Sequence, residues 1–133
     1  MLDRLRARGT RVLLPVIAPV AGPLDWAEYS GPETLAAGRL RGILEPTGPR
    51  LGVTAVKAAD LVLVPALAVD HGGVRLGRGA GHYDRSLVFV SPGTELVAVV
   101  RDSELVGRLP AQPHDVSMTG ALIPGQGLVR LPM

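Results

Sequence analysis

The sequence has no cysteine, few aromatic residues and little net charge. The absence of cysteine from 133 residues excludes disulfides and thiolate metal sites, and it is typical of proteins in a reducing cytosol. Aromatic residues make up 3% of the chain, so few rings are available to stack on a ligand. The net charge is only +2 and the arginines are scattered, apart from a group between Arg4 and Arg11. We therefore expect no nucleic-acid partner.

Long apolar runs are also missing. The longest ones contain prolines and fall short of the roughly 20 residues that are needed to span a bilayer. The first residues lack the apolar core of a signal peptide. We therefore expect a cytoplasmic protein with no membrane partner. The length favours a single domain, residues 1–133, and an apolar content of 47% is enough for a modest core.

The order of elements along the chain predicts an α/β protein. Residues 2–9 are typical of a helix end closed by Gly9, and residues 10–18 are typical of a buried strand. Residues 61–69 predict a strand buried on both faces, as in parallel sheets, which ends or bulges at Pro65. This pattern predicts an open, mainly parallel, Rossmann-like sheet with flanking helices in three α/β/α layers.

The remaining elements are predicted to be short. They are an edge strand at 24–29, a helical turn at 33–37, a helical segment at 53–59, a helix at 81–90, a strand at 95–100, a helical turn at 103–108 and a hairpin within 121–131.

The segment from Arg75 to Arg85 is the part of the chain that favours ligand binding. It follows an apolar strand and precedes a predicted helix, and it carries three glycines within five positions, Gly77, Gly79 and Gly81. Glycines let backbone N–H groups approach an anion, and Arg75 and Arg78 add bidentate donors, so the segment is suited to phosphate. The spacing matches neither the dinucleotide fingerprint nor a Walker loop. A glycine-rich surface loop with solvated arginines is the alternative interpretation.

Two carboxylates are candidate metal ligands. Asp84 directly follows the glycine-rich segment, and Asp115 lies in a later loop. Mg²⁺ prefers hard oxygen ligands and bridges carboxylates to nucleotide phosphates. The alternatives are a carboxylate serving a helix start at Asp84 and a solvated loop residue at Asp115. The three histidines match no standard zinc spacing, so no zinc site is predicted.

Residues 60–70 and 73–85 resemble the 5-formyltetrahydrofolate cyclo-ligase family, also called methenyltetrahydrofolate synthetase. Other segments match the family in the same order: Gly9 to Pro15, Gly42 to Pro46, Leu109-Pro110 and His114-Asp115-Val116. The resemblance covers nearly the whole chain. It departs from the family at His82, where an aromatic Tyr is usual, and at Ala80, where Gly is frequent.

The resemblance also implies a difference at the start of the chain. Full-length members begin with an additional N-terminal segment that includes a basic, ATP-holding helix, and this sequence starts after it. We therefore expect an N-terminally truncated form of the fold, with little or no activity alone and activity restored by an upstream extension. An exposed edge or apolar face on such a sheet would favour association, so we expect a monomer or a weak homo-oligomer.

The activity implied by the resemblance is the ATP- and Mg²⁺-dependent cyclisation of 5-formyltetrahydrofolate to 5,10-methenyltetrahydrofolate, with release of ADP and phosphate. The alternatives are a non-catalytic or inactive truncated relative, or another phosphate-ligand-binding α/β module. Trp26 and Tyr29 either fill the core or line a flat pterin, and Glu45 is either a buried acid or a turn residue.

The residue roles implied by the resemblance form four sets. ATP is assigned to Arg75, Gly77, Arg78, Gly79, Ala80, Gly81, His82 and Tyr83. The folate substrate is assigned to Arg78, His82 and Tyr83, catalysis to Arg78 and Tyr83, and Mg²⁺ to Asp84 and Asp115.

Overall fold

The structure is a computed structural model that describes residues 2–19, 21–38, 42–77, 81–113 and 115–133. Within these ranges it holds two short α-helices, α1 (Leu2–Ala7) and α2 (His82–Leu87). The strands are β1 (Leu13–Val16), β2 (Asp25–Glu28), β3 (Leu35–Ala37), β4 (Leu44–Pro46), β5 (Leu61–Pro65), β6 (Ala68–Asp70), β7 (Arg75–Leu76), β8 (Glu95–Val99), β9 (Leu105–Val106), β10 (Gly120–Ile123) and β11 (Gly127–Arg130). Short 3₁₀ segments lie at Pro32–Thr34, Val53–Ala58 and Asp102–Glu104.

The largest sheet has the strand order β11-β10-β8-β5. β5 and β10 both run parallel to β8, so Val97 lies opposite Leu63 on one side and opposite Gly120 on the other. β11 returns antiparallel to β10, which confirms the hairpin predicted within 121–131. The predicted α/β class is confirmed as a mixed fold with parallel and antiparallel pairs, while the three-layer Rossmann-like arrangement stays a prediction.

The segment 61–69 is interrupted at Pro65, as predicted, but it differs from its prediction in two other ways. After β5 ends, the chain resumes as β6 at Ala68 in a separate sheet. β5 is also buried on one face only: Val62 and Val64 enter the core, whereas Leu61 is 53% exposed. The prediction of a strand buried on both faces is therefore wrong. An apolar run without polar alternation does not reveal which of its faces the rest of the described chain covers.

The other predicted elements are mostly found with shorter bounds. Gly9 ends α1 with φ 87°, and hydrogen bonds from Thr10 N to Leu5 O (3.0 Å) and from Gly9 N to Arg6 O (2.9 Å) form a Schellman motif. β1 is half-buried rather than buried, and it pairs antiparallel with β2. The helical turn predicted at 33–37 is found only in part. The structure has a 3₁₀ segment at Pro32–Thr34, and residues 35–37 form β3 instead. Neither helix of the described chain is long and apolar enough to cross a membrane.

A three-stranded sheet, β7-β6-β9, carries the glycine-rich segment. β6 is its middle strand, antiparallel to β7 and parallel to β9. The turn between β6 and β7 is tight: Asp70 N donates to Val74 O at 2.9 Å, and Gly73 N donates to Asp70 O at 3.0 Å. Gly73 O then accepts a 2.7 Å bond from Met118 N, so the turn is joined to a residue of the core.

We expect Gly73→Ala to destabilise the fold and Gly72→Ala to have little effect. Gly73 has φ 96°, and a Cβ there would lie 2.5 Å from the backbone oxygen of Met118. Strain and clash together predict a loss of about 2 kcal/mol or more in unfolding free energy.

The neighbouring Gly72 is a matched control for this measurement. A Cβ at Gly72 meets nothing closer than 3.5 Å, so chemical denaturation should show a change within about 0.5 kcal/mol. Equal losses in the two variants would contradict the strained turn.

Candidate functional site

The glycine-rich segment enters from β7 and leaves into α2. Its middle residues Arg78, Gly79 and Ala80 lie outside the described residues, so the roles predicted for them stay predictions. At Gly77 a Cβ would lie 2.9 Å from Nη1 of Arg75. The glycine therefore leaves room for the arginine to fold back over the backbone. Gly81 begins α2 with φ 77°, a left-handed conformation that favours glycine.

The side chain of Arg75 is the buried centre of this region. It is only 6% exposed. Its Nη1 donates to the carbonyl oxygen of Pro65 at 2.9 Å, and its Nη2 donates to Oδ1 of Asp84 at 3.3 Å. Its Cζ also lies 5.6 Å from the ring centroid of Tyr83, within reach of a cation–π interaction. The structure thus brings Arg75, Tyr83 and Asp84 together. We call these three residues the arginine corner.

One polar atom of the corner has no hydrogen-bond partner among the described residues. Nε of Arg75 is buried and makes no hydrogen bond within the part of the chain that the structure describes. A buried donor without a partner is costly, so such atoms usually belong to sites that bind something else. This atom is compatible with an anionic ligand that reaches the corner from the glycine-rich segment.

Asp84 is suited to holding a cation. Its side chain is 31% exposed, and only its Oδ1 is engaged by Arg75. A carboxylate oxygen that keeps access to solvent is a hard donor of the kind Mg²⁺ prefers.

Tyr83 enters the corner as a neutral phenol. Burial raises its pKa above the ordinary value, and the nearby charge of Arg75 lowers it in part. The net shift is upward, so the hydroxyl keeps its proton at neutral pH. The predicted catalytic role of Tyr83 is therefore one of contact and orientation rather than proton removal.

His82 joins α2 to a segment that the sequence did not connect with the site. Its Nδ1 lies 3.2 Å from the carbonyl oxygen of Gly22. One turn later, Ser86 Oγ accepts from Leu24 N at 2.8 Å and donates to His82 O at 2.6 Å. The buried Ser86 is a link that sequence analysis missed, because serine inside a short helix gives no distinct signal.

Asp115 lies in the segment after β9, and its described contacts are local. Its Oδ2 accepts from Gln112 N at 2.8 Å, and its own N donates to Gln112 O at 3.0 Å. Among the residues that the structure describes, no group of three or more His, Cys, Asp or Glu side chains forms a metal cluster. Two carboxylates still suit Mg²⁺, which keeps several water ligands.

The residues with open interpretations are buried. Trp26 and Tyr29 are 5% and 3% exposed. Trp26 belongs to the core cluster, in agreement with its core interpretation. Tyr29 packs beside α1, where its hydroxyl donates to Oδ1 of Asp3 at 2.9 Å, and both of its interpretations stay open. Glu45 is a buried acid whose Oε2 accepts from Ile17 N at 2.9 Å, which ties β4 to the end of β1.

The fold is that of solved methenyltetrahydrofolate synthetases. The NMR structure of the Aquifex aeolicus 5,10-methenyltetrahydrofolate synthetase is similar at a TM-score of 0.77 and 27% identity, covering 99% of this chain and 64% of that one. A synthetase of that name from Mycoplasma pneumoniae gives a TM-score of 0.65 at 17% identity, covering 92% of this chain and 60% of that one, a likeness that shows the fold alone.

The sequence comparisons are more specific. The model of the 5-formyltetrahydrofolate cyclo-ligase family matches residues 1–124. The 5-formyltetrahydrofolate cyclo-ligase of Mycolicibacterium smegmatis is 49% identical over 135 residues, covering 98% of this chain and 69% of the relative. The 5-formyltetrahydrofolate cyclo-ligase of Escherichia coli K12 is 33% identical over 128 residues, covering 95% of this chain and 70% of the relative. The chain therefore belongs to the 5-formyltetrahydrofolate cyclo-ligase family, and it spans about two thirds of the length of these relatives.

We expect Arg75→Met to destabilise the fold, because it leaves Asp84 and the carbonyl oxygen of Pro65 without their shared donor. Removing one partner of a largely buried ion pair should lower the free energy of unfolding by about 2 kcal/mol or more, a figure that allows for the partial exposure of Asp84.

Arg11→Met is the control for this prediction, since the Arg11–Glu28 pair is 57% and 49% exposed. Surface ion pairs contribute little to stability, so Arg11→Met should change the free energy of unfolding in urea by no more than about 0.5 kcal/mol. If the two variants unfold at the same urea concentration, Arg75 does not stabilise the corner.

Proposed function

We propose that this chain carries out the ATP- and Mg²⁺-dependent cyclisation of 5-formyltetrahydrofolate to 5,10-methenyltetrahydrofolate, with release of ADP and phosphate. The observation that supports it most is 49% identity to a 5-formyltetrahydrofolate cyclo-ligase over 98% of the chain. The arginine corner adds a physical basis, since it combines a cation, a partly exposed carboxylate and an unpartnered buried donor beside a glycine-rich segment.

The reaction needs little covalent chemistry from the protein. The formyl oxygen attacks the γ-phosphate of ATP and displaces ADP. The neighbouring folate nitrogen then attacks the activated carbon and loses its proton, and phosphate leaves. Positioning and charge neutralisation dominate such phosphoryl transfers. No nucleophilic side chain is required, which agrees with a chain that lacks cysteine.

The residues divide this work by their chemistry. The backbone N–H groups of Gly77 to Gly81 would bind phosphate oxygens, and α2, with six residues, adds only a small helix dipole. Arg78 would place its fork on the transferring phosphoryl group. His82 and Tyr83 would contact both ATP and folate.

Asp84 and Asp115 are the residues that would hold Mg²⁺. When bound, the ion would neutralise charge on the phosphates of ATP. The solvent-accessible oxygen of Asp84 fits this role. Arg75 would keep that carboxylate fixed through its Oδ1, in addition to its own predicted contact with ATP.

The proposal is tested by incubating the purified chain with 5-formyltetrahydrofolate, ATP and Mg²⁺. Methenyltetrahydrofolate, followed by its absorbance, should form in step with ADP when the N-terminal segment of the family is supplied, and little or no product is expected from residues 1–133 alone. Omission of ATP or chelation of Mg²⁺ should stop both. Binding of Mg·ATP without product would favour the alternative of a non-catalytic family member. Binding of a different phosphate ligand alone would favour the other alternative. The cytoplasmic location and the monomeric or weakly oligomeric state stay predictions.

We expect Asp84→Asn to weaken Mg·ATP binding by about tenfold or more, because the amide is a poor ligand for Mg²⁺ and loses the charge of the carboxylate. Calorimetry with Mg·ATP should show the loss, whereas Asp60→Asn, a change at an exposed aspartate, should leave affinity unchanged.

The Asp84 comparison requires folded protein, because the substitution also removes the partner of Arg75. It is therefore made well below the unfolding temperature of the weaker variant. Equal Mg·ATP affinities for the wild type and Asp84→Asn would refute the metal assignment.

We expect Arg78→Lys to lower kcat/KM by about tenfold, or roughly 1.4 kcal/mol of transition-state stabilisation, although it keeps the charge. The reason is the loss of a planar fork that binds two phosphate oxygens at once. Steady-state kinetics with varied ATP measure the effect. Unchanged kcat/KM would show that a point charge at residue 78 suffices.

A further inference from the structure

Asp70 is a buried carboxylate that none of the predicted roles uses. Asp70 is only 3% exposed. All of its described hydrogen-bond partners are backbone N–H groups. Its Oδ1 accepts from Gly72 N at 3.0 Å and from Val74 N at 2.8 Å. Its Oδ2 accepts from Leu109 N at 2.8 Å.

These partners belong to two segments that both lead to predicted site residues. Gly72 and Val74 form the turn directly before Arg75. Leu109 begins the segment that continues to Asp115. Asp70 itself ends β6, the middle strand between β7 and β9, so its carboxylate lies where the two segments leave the sheet.

We propose that Asp70 is a positioning residue of the nucleotide and metal site, which fixes the segment carrying Asp115 relative to the strand carrying Arg75. This inference rests on the proposed function. Asp84 is held by Arg75, and the contacts continue from Arg75 through the 70–74 turn to Asp70 and from Asp70 to Leu109, which lies in the segment before Asp115.

The chemistry of Asp70 suits this task. A carboxylate offers acceptors in two directions, whereas an amide or a hydroxyl does not. Burial raises the pKa of Asp70, but the N–H groups of Leu109, Val74, Gly72 and Gly73 outweigh it, so its pKa lies below the ordinary value. The side chain is therefore ionised at neutral pH, and charge-assisted bonds to backbone N–H groups are stronger than neutral ones.

The two segments joined by Asp70 also form the walls of an open groove of about 720 Å³. The turn contributes Gly72 and Val74 to one wall, and Gly107 to Ala111 contribute the other. Asp70 is therefore hydrogen-bonded to residues of both segments that line the groove.

Asp70→Asn should break the hydrogen bond to Leu109 and keep the hydrogen bonds to Gly72 and Val74. The amide oxygen can still accept from Gly72 and Val74, but the NH₂ group then faces Leu109 N–H, and two donors cannot bond. Amide hydrogen exchange of the 133-residue chain, followed by NMR, reads each link separately. Mg·ATP affinity, measured by calorimetry well below the unfolding temperature, reads the site. Asp60→Asn is the control, since it makes the same chemical change at an exposed position.

We expect exchange at Leu109 to accelerate about fivefold or more in Asp70→Asn, the effect of one lost hydrogen bond, while exchange at Val74 stays within about twofold. Mg·ATP affinity should fall by about fivefold or more. Asp60→Asn should change none of these. A purely structural role would lower stability without altering the affinity of the folded protein.

Three results would overturn the inference. Unchanged exchange at both Leu109 and Val74 would show that the link does not exist, because an amide in either orientation can accept from only one of the two segments. Released Leu109 with wild-type Mg·ATP affinity would show that Asp70 supports the fold alone. A wild-type chain that binds no Mg·ATP would refute the proposed function and with it the positioning role, and exchange at Leu109 would still report the link, so the two failures are distinguishable.

Discussion

The buried guanidinium of Arg75 is the constraint on which the candidate site depends. An arginine cannot lose its charge in a protein, so burial of its side chain to 6% exposure requires partners for the guanidinium. The chain supplies them from separate places: the last residue of β5, the first turn of α2 and the ring of Tyr83. The contacts that the guanidinium of Arg75 requires therefore determine how α2 lies against the end of β5.

This constraint explains the composition of the glycine-rich segment better than a phosphate loop alone. Gly77 is small because Arg75 folds over it, and Gly81 is small because a left-handed residue begins α2. In the proposed function the same positions would also present backbone N–H groups to phosphate. Nε of Arg75, which has no hydrogen-bond partner among the described residues, lies in this region.

Local patterns predicted those elements whose sequence alone decides their structure. The hairpin around Gly125 and Gly127, the strand β8 and the helix end at Gly9 all depend on turn chemistry or β-branched runs, and all were found. The run 61–69 was misread because Pro65 separates two strands whose partners lie far along the chain. The prediction of a strand break at Pro65 was correct, but no local signal indicated that β6 joins another sheet.

The sequence predicted which residues make up the candidate site, but it did not predict how they contact one another. The sequence places Arg75, Tyr83 and Asp84 close together, and the structure confirms their proximity, but their mutual contacts depend on how α2 folds back. Asp70, Ser86 and Leu24 were missed because their importance lies in hydrogen bonds to backbone groups, two of which join residues 39 and 62 positions apart. Such bonds leave no periodic trace, since any backbone N–H can make them.

The most direct test of the account is an NMR titration of the ¹⁵N-labelled chain with ATP, with and without Mg²⁺. If the glycine-rich segment and the arginine corner bind the nucleotide, the largest shifts fall on the amides of Gly77 and of Gly81 to Asp84, with the side chain of Arg75 shifting with them. Shifts at Asp84 should depend on Mg²⁺. Saturating binding that perturbs other surfaces and leaves these amides unchanged would contradict the account.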